Sequence, residues 1–393
     1  MSPIRNTDLR RLGGLLLLGV VAGYGVRYVA SKASAAAANK PLSLADWDLA
    51  RRIALRVSES AEHPVRDRAI RQAQYQEMVA QSEPLIARYM NAHLAQPISR
   101  VHVFDRREWL EANFFAFQQL LEPVEEIYRE AQVPGTLGTM FSLVNRQIIG
   151  TQLGVLLGFL ARRVLGQYDL SLLSPDPAVR GALYFVEPNI AKIQSILGVS
   201  DEEFRLWIAL HETSHVFEFE AFPWVRSHFQ GLLREFLGQV SEQISSFSDL
   251  TKVIERIRLG RAQGKHWIEL MLTPAQQQSF DKLQALMSLV EGYSNHIMNA
   301  IGRDLLPHFD QIEQRVEQRK INRPLFEEVF NRITGMDLKL AQYQQGEQFI
   351  DAIVAQRGVD FANRVWERPE NLPSMDEIRN PERWIARIGE HSR

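Results

Sequence analysis

Cysteine is absent from the 393-residue chain. No disulfide framework, thiol nucleophile, iron–sulfur cluster or thiolate zinc site can therefore form. Any metal that the chain binds has to be held by histidine and carboxylate side chains. A domain of this size can bury a sufficient core without disulfides, so the absence of cysteine fits either side of a membrane.

Net charge is also low, at −2, and the isoelectric point is about 6.6. This balance gives no global attraction to nucleic acid or to an anionic surface. The sequence also lacks a glycine-rich phosphate loop, a serine elbow and interleaved basic and aromatic residues. Hydrophobic residues make up 45% and charged residues 23%, which is typical of a folded globular protein. We expect no nucleic-acid partner.

The N-terminal segment is typical of targeting or anchoring sequences. Arg10 and Arg11 precede an apolar run from Leu12 to Val26, which is shorter than the roughly 20 residues of a membrane-spanning helix. Ala33 and Ala35 have the small-x-small spacing of a cleavage site. We favour a membrane association through residues 12–26. A cleaved signal on a secreted protein and an apolar leader on a cytoplasmic protein stay open.

Helical periodicity dominates after Pro41. The sequence predicts one mainly α domain over residues 41–393 with at most a small β element, preceded by the apolar leader at 1–40. A split near 261–266 is the alternative to a single domain. The best strand candidate is Ala182 to Val186, either as an edge strand lining the substrate or as a structural strand. Helices are predicted at about 67–94, 105–123, 145–167, 199–223, 273–301, 323–334, 337–356 and 375–389.

The most apolar segment after the leader is Ile148 to Leu160. Its length favours a buried core helix over a membrane span. Gly150, Gly154 and Gly158 are spaced by four residues, so they form one smooth strip on that helix. We expect a second helix to approach closely there.

The segment 199–224 has the signals of a complete helix. Ser200 and Glu203 form a capping-box signature, and Pro223 is expected to end the helix. Inside lies His211-Glu212-Thr213-Ser214-His215. Positions i and i+4 share a helical face, so both imidazoles can bind one Zn²⁺ while Glu212 reaches a zinc-bound water as general base. The alternative is a pair of hydrogen-bonded core histidines.

A third ligand is needed, and a later helix offers one. Residues 273–302 begin with Thr273 as N-cap, Pro274 and then Gln276, which is the pattern of a capping box. Glu291 falls on the apolar face of this helix. An unpaired buried carboxylate is costly, so we expect Glu291 to be the third zinc ligand or the partner of an arginine.

Other polar residues near these helices have weaker claims. His296 is a supporting group or an alternative ligand in place of Glu291. Arg226 and Tyr293 are candidates to stabilise an oxyanion, although Tyr293 is better explained as a packing residue with a solvated hydroxyl. His228 is expected at the surface or behind the ligands, and Gln167-Tyr168-Asp169 is expected to be structural.

The His-Glu-x-x-His helix, Glu291 and several further motifs resemble those of the zincin-like hydrolases that are often labelled as associated with coenzyme F420 biosynthesis. The resemblance covers about 44–305 and implies a mainly helical metallopeptidase-like fold. It implies zinc ligation by His211 and His215, a catalytic Glu212 and Glu291 as third ligand. The sequence differs from the usual pattern of these hydrolases in two places. Thr213-Ser214 lies inside the His-Glu-x-x-His motif, and Tyr293 stands where histidine is frequent. The matching motifs include Asp46-Trp47-Asp48, Leu121-Glu122-Pro123, Gly150-Thr151-Gln152-Leu153-Gly154, Leu183-Tyr184-Phe185-Val186, Pro223-Trp224 and Glu291-Gly292.

Two functions of different class follow. The first is a zinc metallohydrolase of the peptidase type, which acts on a peptide or amide substrate. The second is a zinc-stabilised binding or accessory protein at the membrane, without enzymatic activity; a coenzyme F420-linked accessory role rests on analogy alone. We favour the enzyme, because structural zinc sites are more often closed by four protein ligands and leave Glu212 without a role.

Overall fold

Helices dominate the structure, a computed structural model that describes residues 43–59, 65–130, 136–168, 181–245, 272–321 and 336–390. The predicted mainly α fold with a small β element is confirmed. The leader, the alternative split near 261–266 and the predicted helix at 323–334 lie outside the described residues. The helices are α1 (Trp47–Val57), α2 (Arg68–Met90), α3 (Arg106–Glu130), α4 (Thr136–Ala161), α5 (Glu187–Leu197), α6 (Asp201–Val216), α7 (Pro223–Ser245), α8 (Pro274–Leu305), α9 (Phe309–Ile321), α10 (Met336–Arg357), α11 (Val359–Ala362), α12 (Met375–Arg379) and α13 (Pro381–Glu390), and the strands are β1 (Val101–Phe104), β2 (Gly166–Tyr168) and β3 (Leu183–Val186).

The three strands form one mixed sheet in the order β1-β3-β2. Strand β3 pairs parallel with β1 and antiparallel with β2. The predicted strand is therefore confirmed, but its interpretation as an edge strand is wrong. All four residues of β3 are buried, since a continuous apolar run suits a strand that is covered on both faces. Strand β2 lies at the edge instead.

The glycine strip of α4 contacts α1, as the spacing predicted. A Cβ atom at Gly154 would lie 2.6 Å from the Ala50 carbonyl oxygen. Ala50 and Ala54 are the buried residues of α1, so small residues meet on both helices. The outer face of α4 is less covered than predicted for a core helix, because Ile148 and Val155 are 43% and 38% exposed. Within the described part of the chain, no helix is long and apolar enough to cross a membrane.

Helix starts follow the capping signals. The Glu108 N–H donates to Asp105 Oδ1 and the Asp105 N–H donates to Glu108 Oε2, both at 2.8 Å. Thr273 and Gln276 form the same reciprocal pair at the start of α8. Ser200 caps α6, but the Glu203 carboxylate accepts from the His308 N–H at 3.0 Å and so does not complete that box.

Proline acts differently from the prediction at two helix ends. Helix α3 continues through Pro123 to Glu130, and α6 ends at Val216 in a π-helical turn, Phe217–Ala221. Pro223 then opens α7, because the first helical position needs no N–H donor. The predicted C-terminal helix is also divided, into α12 and α13, at Asn380 before Pro381.

Helix α8 is held by a close contact with α10. A Cβ atom at Gly346 would overlap the Ser288 carbonyl oxygen, and one at Gly292 would overlap the backbone at Gly346. Only glycine at both positions allows the two backbones to approach so closely. Helix α8 also packs on α6 and α7, and this fixes its face relative to the His-Glu-x-x-His helix.

Candidate metal centre

Helix α6 places its two histidines on one inward face. Phe204 and Ile208, two turns and one turn before His211, are 0% and 2% exposed, so the helix is anchored in the core on this side. The ring centroids of His211 and His215 are 4.7 Å apart. The spacing of four residues therefore brings both imidazoles to one point, as predicted.

Helix α8 brings Glu291 to the same point. His211 Nε2 lies 3.9 Å from Glu291 Oε2, and one ligand atom from each of His211, His215 and Glu291 lies within 4.8 Å of the other two. The structure thus brings together the three residues that the sequence assigned to the metal. Their ligation of a metal stays a prediction.

The three residues fit a divalent metal in donor type and in charge. Ligand atoms in a tetrahedral zinc site lie about 3.4 Å apart. Side-chain rotations that move each ligand atom by about 1 Å would bring the three residues to this spacing. Burial alone lowers the pKa of His215, but the carboxylates of Glu218, Glu291 and Glu212 raise it to about 9. The surroundings therefore favour positive charge at this point, which is what a cation supplies.

His215 has a buried carboxylate behind it. Its Nδ1 lies 2.7 Å from Glu218 Oε2, and Ser294 Oγ donates to Glu218 Oε1 at 3.1 Å. A carboxylate on Nδ1 fixes the tautomer that leaves Nε2 for a metal. The sequence analysis gave Glu218 no role. The signal is a carboxylate three residues after His215, the spacing at which two side chains of one helix are neighbours.

His211 has a different neighbour. Its Nδ1 lies 3.2 Å from the sulfur of Met298, which is 3% exposed on α8. A thioether is a weak, uncharged acceptor. The two histidines are therefore oriented by groups of very different strength.

Glu212 lies beside the ligands under strand β2. Burial raises its pKa to about 7, although the nearby charge of His215 and a hydrogen bond from the Tyr168 N–H lower it. A Cβ atom at Gly166 would overlap the Glu212 side chain, so any larger residue there would require the carboxylate to move. A carboxylate whose pKa is near 7 can both accept and release a proton at neutral pH.

Comparison with known proteins agrees with this geometry. The sequence model of zincin-like metallopeptidases matches residues 45–385. The chain belongs to this zincin-like family. It is also similar to a solved structure from Chloroflexus aurantiacus, described as a candidate hydrolase with a novel fold, with 52% identity and a TM-score of 0.67 over 88% of this chain and 99% of that one. No curated protein matches. The link to coenzyme F420 stays a prediction.

A polar network surrounds the end of β2 in this zincin-like centre. Arg226 Nη2 donates to Tyr168 Oη and to Glu220 Oε1, both at 2.6 Å, and Tyr168 Oη donates to Glu220 at 2.5 Å. The side chain of Tyr168 has the structural role that the sequence predicted. Its backbone N–H, however, forms a hydrogen bond with Glu212. Arg226, a candidate for oxyanion stabilisation, is engaged in holding this strand.

The remaining candidates have partners outside the ligand set. His296 Nε2 lies 2.6 Å from Tyr89 Oη and its Nδ1 lies 2.5 Å from Asp351 Oδ1, so it links three helices. Tyr293 is 0% exposed and donates to Asn363, so the expectation of a solvated hydroxyl is wrong. His228 is half-buried against the ring of Trp224.

Proposed function

We propose that this protein is a zinc-dependent hydrolase of the peptidase type, cleaving an amide bond. The observation that carries the proposal is the convergence of His211, His215 and Glu291 beside a buried glutamate whose pKa is about 7. Membership of the zincin-like metallopeptidase family supports it.

Zinc fits the donors better than other common metals. Two imidazoles and one carboxylate form the set that catalytic zinc sites use, with one further position open. Hard cations such as Mg²⁺ and Ca²⁺ prefer oxygen ligands alone. When bound, zinc would supply a Lewis acid that polarises the substrate carbonyl and makes water more acidic.

The chain's own residues supply the proton transfers. Glu212 accepts a proton from the attacking water at its carboxylate, and the oxygen forms a bond to the carbonyl carbon. The same carboxyl group then donates that proton to the leaving nitrogen as the carbon–nitrogen bond breaks. Atoms and charge balance: water and amide give an acid and an amine.

Partial exposure of the ligands favours catalysis over a structural metal. The side chains of His211 and Glu291 are 22% and 24% exposed, whereas that of Glu218, behind His215, is fully buried. One side of the cluster thus faces solvent, where a substrate can enter. A structural site is more often closed by a fourth protein ligand.

The test combines elemental analysis with cleavage of a broad peptide library. Wild-type protein should carry about one zinc ion per chain. Glu212→Gln should keep the metal and lose roughly 10²-fold or more in hydrolysis rate, because the general base is gone. Glu202→Gln, an exposed glutamate on the same helix, is the matched control and should match wild type.

Three results would separate the alternatives. Wild-type protein without stoichiometric zinc would overturn the metal site. Unchanged hydrolysis by Glu212→Gln would remove the general-base role. A zinc-loaded wild type that cleaves no library member would favour the zinc-stabilised accessory function.

A further inference from the structure

A second charged cavity lies at the amino end of α6, away from the metal centre. Its volume of about 650 Å³ is within the range of small-molecule sites. None of the metal-centre residues lines it. From Asp201 to His211 the helix rises about 15 Å, which separates the two locations along one axis. The lining consists of Val65, Arg66, Asp67, Arg71, Arg106, Glu187, Pro188, Ala191, Lys192, Asp201 and Arg205.

A closed ion-pair network forms one wall of the cavity. Arg205, whose side chain is 1% exposed, pairs with both Glu187 and Asp201. Arg71 contacts the same two carboxylates, Nη1 lying 3.0 Å from Asp201 Oδ2 and Nε 3.5 Å from Glu187 Oε1. Tyr75 also donates to Glu187 at 2.8 Å. Two guanidinium groups therefore balance the two carboxylates, and this wall is rigid and close to neutral.

The rest of the lining is mainly cationic. Arg66 and Lys192 are exposed, and neither forms an ion pair with a residue in the described ranges. Arg106 is buried, and among its partners are Asn189 Oδ1 at 2.8 Å and the Ser58 carbonyl oxygen at 3.0 Å. Asp67 is the one further acidic residue of the lining, so five cationic side chains face three acidic ones.

Four helices begin at this cavity. Asp67 is the N-cap of α2, Arg106 is the first residue of α3, Glu187 the first of α5 and Asp201 the first of α6. Each helix start carries a partial positive charge of roughly half a unit. Each of these starts also has an acidic residue at its cap or in its first turn, so the cationic side chains rather than the dipoles give the cavity its positive charge.

We propose that this cavity binds a small soluble ligand through a phosphate or pyrophosphate group. Arginine guanidinium groups bind several phosphate oxygens at once, and a lysine adds a compact positive charge. The volume admits a ligand larger than the ion alone. A long polyanion is disfavoured, because the chain as a whole carries a net charge of −2.

Calorimetric titration of the full chain with inorganic pyrophosphate tests the proposal, at ionic strength matched with sodium chloride. We expect a Kd below about 1 mM. The double variant Arg66→Ala/Lys192→Ala should weaken binding at least about tenfold, since it removes the two lining cations that form no ion pair with any described residue. Arg379→Ala, an exposed arginine outside the lining, should leave the Kd unchanged.

Zinc can itself bind pyrophosphate, so the titration is repeated after chelation and with Glu291→Ala. Equal affinity in all three samples excludes the metal centre as the binding site and does not depend on the hydrolase proposal, while the double variant places the anion in the cavity. Binding that needs zinc or Glu291 would overturn the inference, as would an unchanged Kd in the double variant or no heat up to about 10 mM pyrophosphate. Tighter binding of a single-stranded oligonucleotide than of pyrophosphate would also overturn it.

Discussion

The two ends of α6 hold buried charge in opposite ways. At the amino end, Arg205 is paired with Glu187 and Asp201 within the chain. At the carboxyl end, three carboxylates surround His215 and raise its pKa to about 9 against the effect of burial. At the amino end, the ion pairs of Arg205 are therefore formed within the chain. The carboxyl end has excess negative charge that an external cation would balance.

The helix itself adds to this difference. Its amino end carries partial positive charge, which the acidic residues in its first turn balance. Its carboxyl end carries partial negative charge, so a cation is favoured there for a second reason. Substitutions at the amino end should therefore change stability without metal, and substitutions at the carboxyl end should change metal affinity.

Arg205→Leu should have the largest effect. It keeps apolar volume but leaves Glu187, which is 6% exposed, without its main buried partner. Removing one member of a buried ion pair costs about 3–5 kcal/mol, and we expect a loss near the lower limit because Arg71 remains. Urea unfolding of chelated protein measures it.

Arg52→Ala is the control for that experiment, because Arg52 is exposed on α1, and it should change the unfolding free energy by less than about 0.5 kcal/mol. A loss below about 1 kcal/mol for Arg205→Leu would show that solvent, rather than the ion pair, stabilises the amino end.

Gly346→Ala should have the second-largest effect on the free energy of unfolding. Its Cβ would overlap the Ser288 carbonyl oxygen, and backbone cannot move aside as a flexible side chain can. We expect about 1–3 kcal/mol of destabilisation together with weaker zinc binding, since α8 carries Glu291. Gly389→Ala, where a Cβ meets nothing within 4 Å, is the matched control. Normal zinc affinity in Gly346→Ala would mean that Glu291 does not depend on the α8–α10 contact.

Glu218→Ala should weaken zinc binding by roughly 10–100-fold, the usual effect of removing a carboxylate behind a histidine ligand. Competition with a chromophoric chelator measures the affinity. Unfolding of the metal-free protein shows whether the loss is specific to the metal or reflects a general loss of structure. Glu202→Gln, on the exposed side of α6, should bind zinc as wild type does. An unchanged affinity in Glu218→Ala would rule out an orienting role.

Local signals in the sequence predicted much of this arrangement. Helix caps at Ser200 and Thr273 fixed where α6 and α8 begin, and the 3.6-residue period then placed the histidines and Glu291 on inward faces. These features depend on residues within one helix, so a single sequence suffices for them.

Other features depend on elements that meet only in the fold. Tyr168 reaches Glu212 because β2 pairs with β3 on the side away from β1. The paired arginine network at the amino end joins α2, α5 and α6. Periodicity within one segment carries no information on such contacts, so the sequence analysis missed them.

The smallest expected effect concerns His211. Met298 Sδ faces His211 Nδ1 at 3.2 Å, whereas His215 has a full carboxylate in the corresponding place. Leucine nearly matches methionine in volume, so Met298→Leu removes the sulfur with little loss of packing. A hydrogen bond to neutral sulfur contributes at the low end of about 0.5–1.5 kcal/mol, so zinc affinity should fall about twofold to threefold.

Met287→Leu, on the same helix, is its control and should leave the affinity unchanged. A tenfold loss in Met298→Leu would mean that the thioether orients its histidine as strongly as Glu218 orients the other. The contrast between the two histidines would then vanish, while the contrast between the two ends of α6 would remain.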